Sequence, residues 1–201
     1  MSRSYLKSKE DTFAAIDEEG WLHSGDQGVI DEDGFVTITG RLKELIVTAG
    51  GENVSPVPIE NKIIELCPMI ANCVVVGDKR KFLSCLISLK TEVDPLTGEP
   101  SQQLASSVVE RLRALGSSTT TVEEAQQDPI VKKMIDEAVD GYNAVAISHA
   151  QQLRKWTLMG RDLSLGHGEL TATLKDVASL RAQIGKMVTI SSQGSCCDED
   201  R

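Results

Sequence analysis

Alternation and helical spacing divide the chain into short strands and three helices. Phe35, Val36, Thr37, Ile38 and Thr39 form a β-branched run typical of a strand, and Gly28-Val29-Ile30 precedes it across Asp31-Glu32-Asp33-Gly34. Acidic residues with glycine between two such runs signal a hairpin. Trp21-Leu22-His23 reads as a further strand piece before a Ser24-Gly25-Asp26 bend, and Asp17-Glu18-Glu19-Gly20 as a turn after one helical turn at 12–16. Leu45-Ile46-Val47 starts another strand. Ala49-Gly50-Gly51-Glu52-Asn53 must bend, because adjacent glycines reach conformations closed to other residues. Ser55 is placed to cap a helix with proline in its first turn; Ile59, Ile63, Ile64, Leu66 and Cys67 give that helix one apolar stripe, and Pro68 ends it.

Further on, Cys73-Val74-Val75-Val76 predicts a buried strand ending at Gly77-Asp78. Residues 82–89 predict another, with Leu83, Cys85, Ile87 and Leu89 alternating against polar neighbours. Residues 94–100 read as an exposed loop. Leu104, Val108, Leu112 and Leu115 predict a helix ending at Gly116, followed by a polar linker at 117–121. Ile130, Met134, Ala138, Tyr142, Val145, His149 and Leu153 share one helical face and predict a long helix over 129–153, and residues 156–159 predict a short strand. The order from 41 to 160 is then β-α-β-β-α-α-β, an α+β fold with helices packed on a short sheet. Residues 1–40 are expected to be the last β-ribbon of a larger body, 41–190 a small domain, and 191–201 a disordered acidic tail.

A net charge of −9 excludes nonspecific nucleic-acid binding, which needs clustered cations. No apolar run approaches the ~20 residues that span a bilayer, and the start lacks the apolar segment of a secretory signal. Cys67, Cys73, Cys85, Cys196 and Cys197 show neither zinc spacing nor a paired framework, which points to a reducing compartment with the first three as core thiols. Cys196-Cys197 is also a weak acylation signal. No metal ligand set stands out, and His23 and His149 are expected to serve packing.

Two side chains carry candidate chemistry on their own. Asp26 follows a glycine at a strand end, where a carboxylate can accept hydrogen bonds from vicinal hydroxyls; it is equally a turn aspartate. Arg41 offers a planar fork for phosphate or ribose oxygens, or a surface salt bridge.

Read as one ordered string, His23-Ser24-Gly25-Asp26, Gly40-Arg41-Leu42-Lys43-Glu44, Thr48-Ala49-Gly50-Gly51-Glu52-Asn53-Val54, Val76-Gly77-Asp78 and the Gly168-Glu169-Leu170-Thr171-Ala172-Thr173-Leu174-Lys175 segment resemble the adenylate-forming acyl-CoA synthetases, nearest the bubblegum-type long-chain enzymes. The resemblance runs from about Tyr5 to Lys175. It implies a long-chain fatty acid–CoA ligase that uses ATP with Mg²⁺ and then CoA. Asp26 would hold the ribose hydroxyls, Arg41 would contact the nucleotide, and Lys43 would be the hinge of a mobile C-terminal domain. Gly50, Gly51 and Glu52 would approach the pantetheine channel, although a tight turn alone also accounts for the glycines. Lys175 would stabilise the charge that builds during adenylation.

The same comparison shows departures. Ala172 stands where the family usually has proline, and Asp176-Val177-Ala178 replaces a basic run, so a surface role for Lys175 stays open; Gly185-Lys186 is badly spaced as a substitute. The family's Ser/Thr/Gly-rich phosphate loop does not occur in this sequence. The chain is therefore expected to be the hinge and lid of a ligase, inactive alone, whose partners are a long-chain fatty acid and an N-terminal adenylation domain that also holds most of the Mg²⁺. The rival is a non-catalytic, lid-like binding module docking on a synthetase or another protein. The resemblance implies a cytoplasmic location, with peripheral attachment to the endoplasmic reticulum or another intracellular membrane as its variant.

Overall fold

The computed structural model describes residue 13 and residues 15–164, so the expectations about Lys175, Gly185-Lys186, Cys196-Cys197 and the acidic tail lie outside the described residues. The described chain forms two compact units, dividing between Leu45 and Ile46.

The first unit is built on an antiparallel ribbon of β1 (Asp26–Ile30) and β2 (Val36–Arg41). Its tip is the predicted acidic turn. Asp31 Oδ1 accepts from the backbone N–H groups of Asp33 (3.0 Å) and Phe35 (2.8 Å), and Gly34 takes the left-handed conformation that closes the loop. Trp21-Leu22-His23 is not a strand: Leu22 forms only an isolated bridge with Ile16. A 3-10 turn, Leu42–Glu44, leads out of the ribbon.

The second unit begins with two short strands, β3 (Ile46–Val47) and β4 (Asn53–Val54), which pair antiparallel and pinch off the Gly-Gly bend. Helix α1 (Pro56–Leu66) follows. Ser55 occupies its N-cap, but the hydroxyl makes no cap hydrogen bond, leaving Pro56 at the first turn as the local start signal. Strands β5 (Ile70–Val76), β6 (Leu83–Leu89) and β9 (Leu153–Leu158) form the main sheet in the order β5-β6-β9, the first pair antiparallel and the second parallel. Between β6 and β9 lie a hairpin of β7 (Thr91–Val93) and β8 (Pro100–Leu104), then α2 (Ser106–Ala114), α3 (Val122–Gln127) and α4 (Pro129–Asn143). One core joins sheet and helices: Ile59 and Ile63 of α1, Leu83, Cys85 and Ile87 of β6, and Val131 and Ile135 of α4 are all buried. The architecture is α+β. Cys67, Cys73 and Cys85 are buried free thiols, and burial pushes the Cys67 thiol up from its ordinary value.

Several expectations are corrected or extended. Leu104 ends β8, so the helix predicted from it starts two residues later, and Leu115 is half exposed past its end. The loop at 94–100 is the tip of the β7–β8 hairpin. The stretch after the polar linker contains α3, whose Thr121 and Glu124 form a capping box, a signal present in the sequence as Thr-x-x-Glu. The long helix stops at Asn143, whose side-chain amide ties the helix end to the next strand: it donates to the Leu153 carbonyl (2.9 Å) and accepts from the Leu153 N–H (2.9 Å). Leu153 therefore starts β9, and His149 sits exposed on a 3-10 turn (His149–Gln151) instead of on an apolar helical face. His23 does not pack either; it is exposed, and its Nε2 lies 2.9 Å from Asp17 Oδ2.

Asp128 ties this half of the fold together. Its carboxylate accepts from the hydroxyls of Ser117 and Thr119, both buried, and caps α4 through the Ile130 N–H at 2.7 Å. Burial pushes its pKa up, but the hydroxyl and amide donors outweigh that and hold it below the usual aspartate value. Replacing Asp128 with Ala should lower the unfolding free energy by ~1–3 kcal/mol in urea titrations. Because the folded-state pKa is depressed, the ionic part of this contribution is complete above the unfolded-state value near ~4 and is lost as pH falls through the folded value. The margin of the natural chain over Asp128→Asn should accordingly shrink on acidification below about pH 4. A margin that widens there contradicts the assignment.

Candidate functional site

Asp26 and Arg41 lie fifteen residues apart in sequence and face each other directly across the ribbon. Directly opposed residues of an antiparallel pair share a face, and Arg41 Nε lies 3.3 Å from Asp26 Oδ1. The alignment depends on an irregularity: the register slips by one residue on β2 between Ile38 and Gly40, so that Gln27 meets Gly40 and Asp26 meets Arg41. Asp26 is the first residue of β1, and not part of the preceding bend. Its N–H donates to Ser24 Oγ (3.1 Å), and the left-handed Gly25 turns the chain so that its carbonyl accepts from the Leu42 N–H (2.9 Å). Arg41 keeps 66% of its side-chain surface exposed and Asp26 31%. The pair thus presents one acceptor and several guanidinium donors to solvent, a set that matches hydroxyls on one side and phosphate oxygens on the other.

Lys43 is exposed in the middle of the 3-10 turn, two residues before the division between the units.

Residues 48–52 close as a tight loop. The Thr48 N–H donates to the Glu52 carbonyl (3.0 Å), the Gly51 N–H to the Thr48 carbonyl (2.9 Å), and the Glu52 N–H to Thr48 Oγ1 (3.2 Å). Gly51 is left-handed, so the turn itself requires a glycine there. Gly50 is not left-handed, and a Cβ on it would come no nearer than 3.8 Å to Thr48 Oγ1. The turn does not explain Gly50. An open, side-chain-free stretch of backbone is what a closely approaching ligand needs.

The bend is braced on both sides. Ser148 Oγ donates to Glu52 Oε2 at 3.0 Å across 96 residues of sequence. From the turn between β5 and β6, the Lys79 N–H donates to the Val47 carbonyl (2.7 Å), the Arg80 carbonyl accepts from Ala49 N–H (3.0 Å), and Asp78 Oδ1 accepts from Val47 N–H (3.2 Å). Gly77 is fixed by space, since a Cβ would lie 2.6 Å from Leu83 Cδ2. The sequence marked Gly77-Asp78 as a strand end; nothing in it pointed to Ser148. Asp26, Arg41 and Lys43 belong to the first unit, and Gly50, Gly51 and Glu52 to the second. Among the described residues no grouping of His, Cys, Asp and Glu could hold a metal ion.

Residues 43–126 match the family model of the AMP-binding enzyme C-terminal domain. The long-chain-fatty-acid–CoA ligase ACSBG2 of Gallus gallus is 49% identical over 173 residues, covering 85% of this chain and 23% of that protein. ACSBG2 of Homo sapiens is 45% identical (85% and 26%), and ACSBG1 of Mus musculus 47% (85% and 24%). The chain spans about a quarter of the length of these relatives. Among solved structures, the adenylation domain of a carboxylate reductase from Mycobacterium chelonae superposes with a TM-score of 0.65 at 16% identity, over 94% of this chain and 26% of that one. The A domain of a carboxylic acid reductase from Segniliparus rugosus, in complex with AMP and a co-purified carboxylic acid, gives 0.63 at 18% identity (96% and 26%). These two likenesses concern the fold. Residues 43–126 thus carry the AMP-binding enzyme C-terminal domain, and the chain is similar over 173 residues to part of the bubblegum-type long-chain fatty acid–CoA ligases.

Proposed function

We propose that this chain is the hinge and mobile C-terminal lid of a long-chain fatty acid–CoA ligase. The observation that carries the reading is the Asp26–Arg41 pair, set across the ribbon immediately before Lys43. In the first half-reaction a carboxylate oxygen attacks the α-phosphorus of ATP, the bond to the β-phosphate breaks, and pyrophosphate leaves. In the second, the CoA thiolate attacks the acyl carbonyl carbon and AMP departs with the bridging oxygen. Asp26 accepts from the ribose hydroxyls throughout, and Arg41 donates to nucleotide oxygens as charge shifts between them. Lys43 absorbs the backbone rotation that exchanges the two faces of the lid. Its place in a short 3-10 turn two residues before the unit division supports that role. Gly50, Gly51 and Glu52 form the wall of the pantetheine channel in the second half-reaction, which the openness around Gly50 supports. Lys175 stabilises the charge of the first. Mg²⁺ accompanies ATP and is assigned to the adenylation domain.

Val29, Ile30, Phe35, Val36 and Ile38 of the ribbon are each more than half exposed. Such a row fits a ribbon that packs against a larger body. A body in the same polypeptide makes the chain part of the ligase; a separate synthetase makes it a docking module, which is the second reading. The place of action is the cytoplasm or the cytoplasmic face of an intracellular membrane.

The purified 201-residue chain should form no acyl-CoA from palmitate, ATP and CoA; measurable turnover would refute the lid reading. In a ligase carrying this sequence in full, Lys175→Ala should cut adenylate formation by about a hundredfold or more while sparing thioester formation from supplied acyl-AMP. Equal loss of both half-reactions removes Lys175 from the mechanism. Asp26→Ala should raise the KM for ATP about tenfold or more through loss of charge-assisted hydrogen bonds. Its urea midpoint should hardly move, because an exposed ion pair contributes only ~0–1 kcal/mol to folding.

A further inference from the structure

One end of the main sheet concentrates positive charge in a chain whose net charge is −9. The turn between β5 and β6 carries Lys79, Arg80 and Lys81 in succession, and the start of β9 beside it carries Arg154 and Lys155. Arg154 and Lys155 come together because the β6–β9 register slips: Leu83 pairs with Leu153 but Ser84 with Lys155, leaving Arg154 as an extra residue. Such a bulge re-aims side chains, and here both neighbours are exposed where regular alternation would bury one. Lys155 Nζ lies 5.7 Å from the centre of the Phe82 ring, joining strand and turn into one patch, and Phe82 is itself 40% exposed.

The nearby carboxylates, Asp78, Glu52 and Asp136, accept from neutral donors and so keep their charge, which leaves the five cations in excess over three anions. Asp78 accepts from Val47 N–H, Glu52 from Ser148, and Asp136 from the Trp156 indole at 2.7 Å. At physiological ionic strength charges are screened beyond about 8 Å, so an approaching surface responds to this patch more than to the distant acidic residues.

We infer that this end of the sheet, with Lys79, Lys81, Phe82, Arg154 and Lys155, docks on an anionic phospholipid surface. Charge complementarity selects the partner, and the exposed aromatic ring among the cations suits the interface between headgroups and acyl chains. A small phosphorylated ligand needs a concave site, whereas these side chains stand outward on a turn and an edge strand. The inference does not depend on the ligase reading, since it concerns where the chain sits and not what it catalyses.

The test is co-sedimentation of the purified full chain with vesicles of phosphatidylcholine, with and without phosphatidylserine. Binding is expected only with phosphatidylserine, and it should fall on raising the salt. Each cation near a lipid surface is worth about fivefold in affinity, so the Lys81→Glu, Lys155→Glu double variant should bind at least ~25-fold more weakly. Both residues are exposed, and an unchanged circular dichroism spectrum and melting curve will show that the variant is folded. Phe82→Ala should weaken binding without altering its salt dependence. Absence of binding overturns the proposal and leaves the cations as guards of an open sheet edge. Binding unchanged in the double variant also overturns it. So does saturable binding of free CoA that the same two substitutions abolish while vesicles are ignored.

Discussion

A carboxylate inside an apolar core has to be hydrogen bonded, and Glu60 fixes much of the second unit by meeting that demand. It is the one charged side chain in the buried class among the described residues, and it accepts from the Val75 N–H at 2.8 Å. Val75 belongs to β5, an edge strand, so Glu60 fills a position that a further strand would otherwise take. The bond locks α1 to the sheet at one register. The start of the second unit inherits that placement: β4 runs into α1 through the buried Val54, and the Gly-Gly bend is the loop that β3 and β4 close. Downstream, β5 ends at Gly77, and the following turn reaches back to hold Val47 and Ala49. The bend and the basic turn are therefore set against each other by the same helix–sheet contact.

Position-by-position reading found the pieces whose signals are local. Helix α1, strands β5 and β6, the acidic hairpin tip and the three buried cysteines follow from spacing and turn chemistry alone. Two of the misses depend on a partner elsewhere in the chain. The apolar spacing of the long helix continues to Leu153, yet Asn143 bonds the Leu153 backbone and the sheet takes that leucine. The β7–β8 hairpin contains Pro100 and polar residues that weaken any strand pattern, and its existence depends on pairing. Helix α3 is only six residues long and declares itself by its capping box, not by periodicity.

The candidate residues divide the same way. Asp26 and Arg41 were visible as residue types in a motif, but their opposition was not, because it rests on a one-residue slip in β2. Without the slip, Asp26 would face Gly40 and Arg41 would point to the other side of the ribbon. The brace on Glu52 comes from Ser148, too far along the chain for any spacing argument. The basic patch depends on a second slip, at the start of β9. In the ribbon and in the basic patch a bulge converts residues that are ordinary in sequence into neighbours with joint chemistry.

The exposure of the Asp26–Arg41 pair bears directly on its suitability for a substrate that arrives and leaves every cycle. A buried ion pair is held by the several kcal/mol that desolvation makes it expensive to separate, and a ligand competing for either partner must overcome that. A pair at a ribbon mouth, with the guanidinium two-thirds exposed, is worth ~0–1 kcal/mol and is already solvated on its open sides. Hydroxyls and phosphate oxygens can then replace water and each other at little cost, while the backbone on both sides stays fixed by the ribbon and the left-handed Gly25. The residues are positioned rigidly but paired loosely. That combination suits the proposed exchange of nucleotide better than it serves stability, since two charged side chains directly opposed just before the Leu42–Glu44 turn contribute little to the fold.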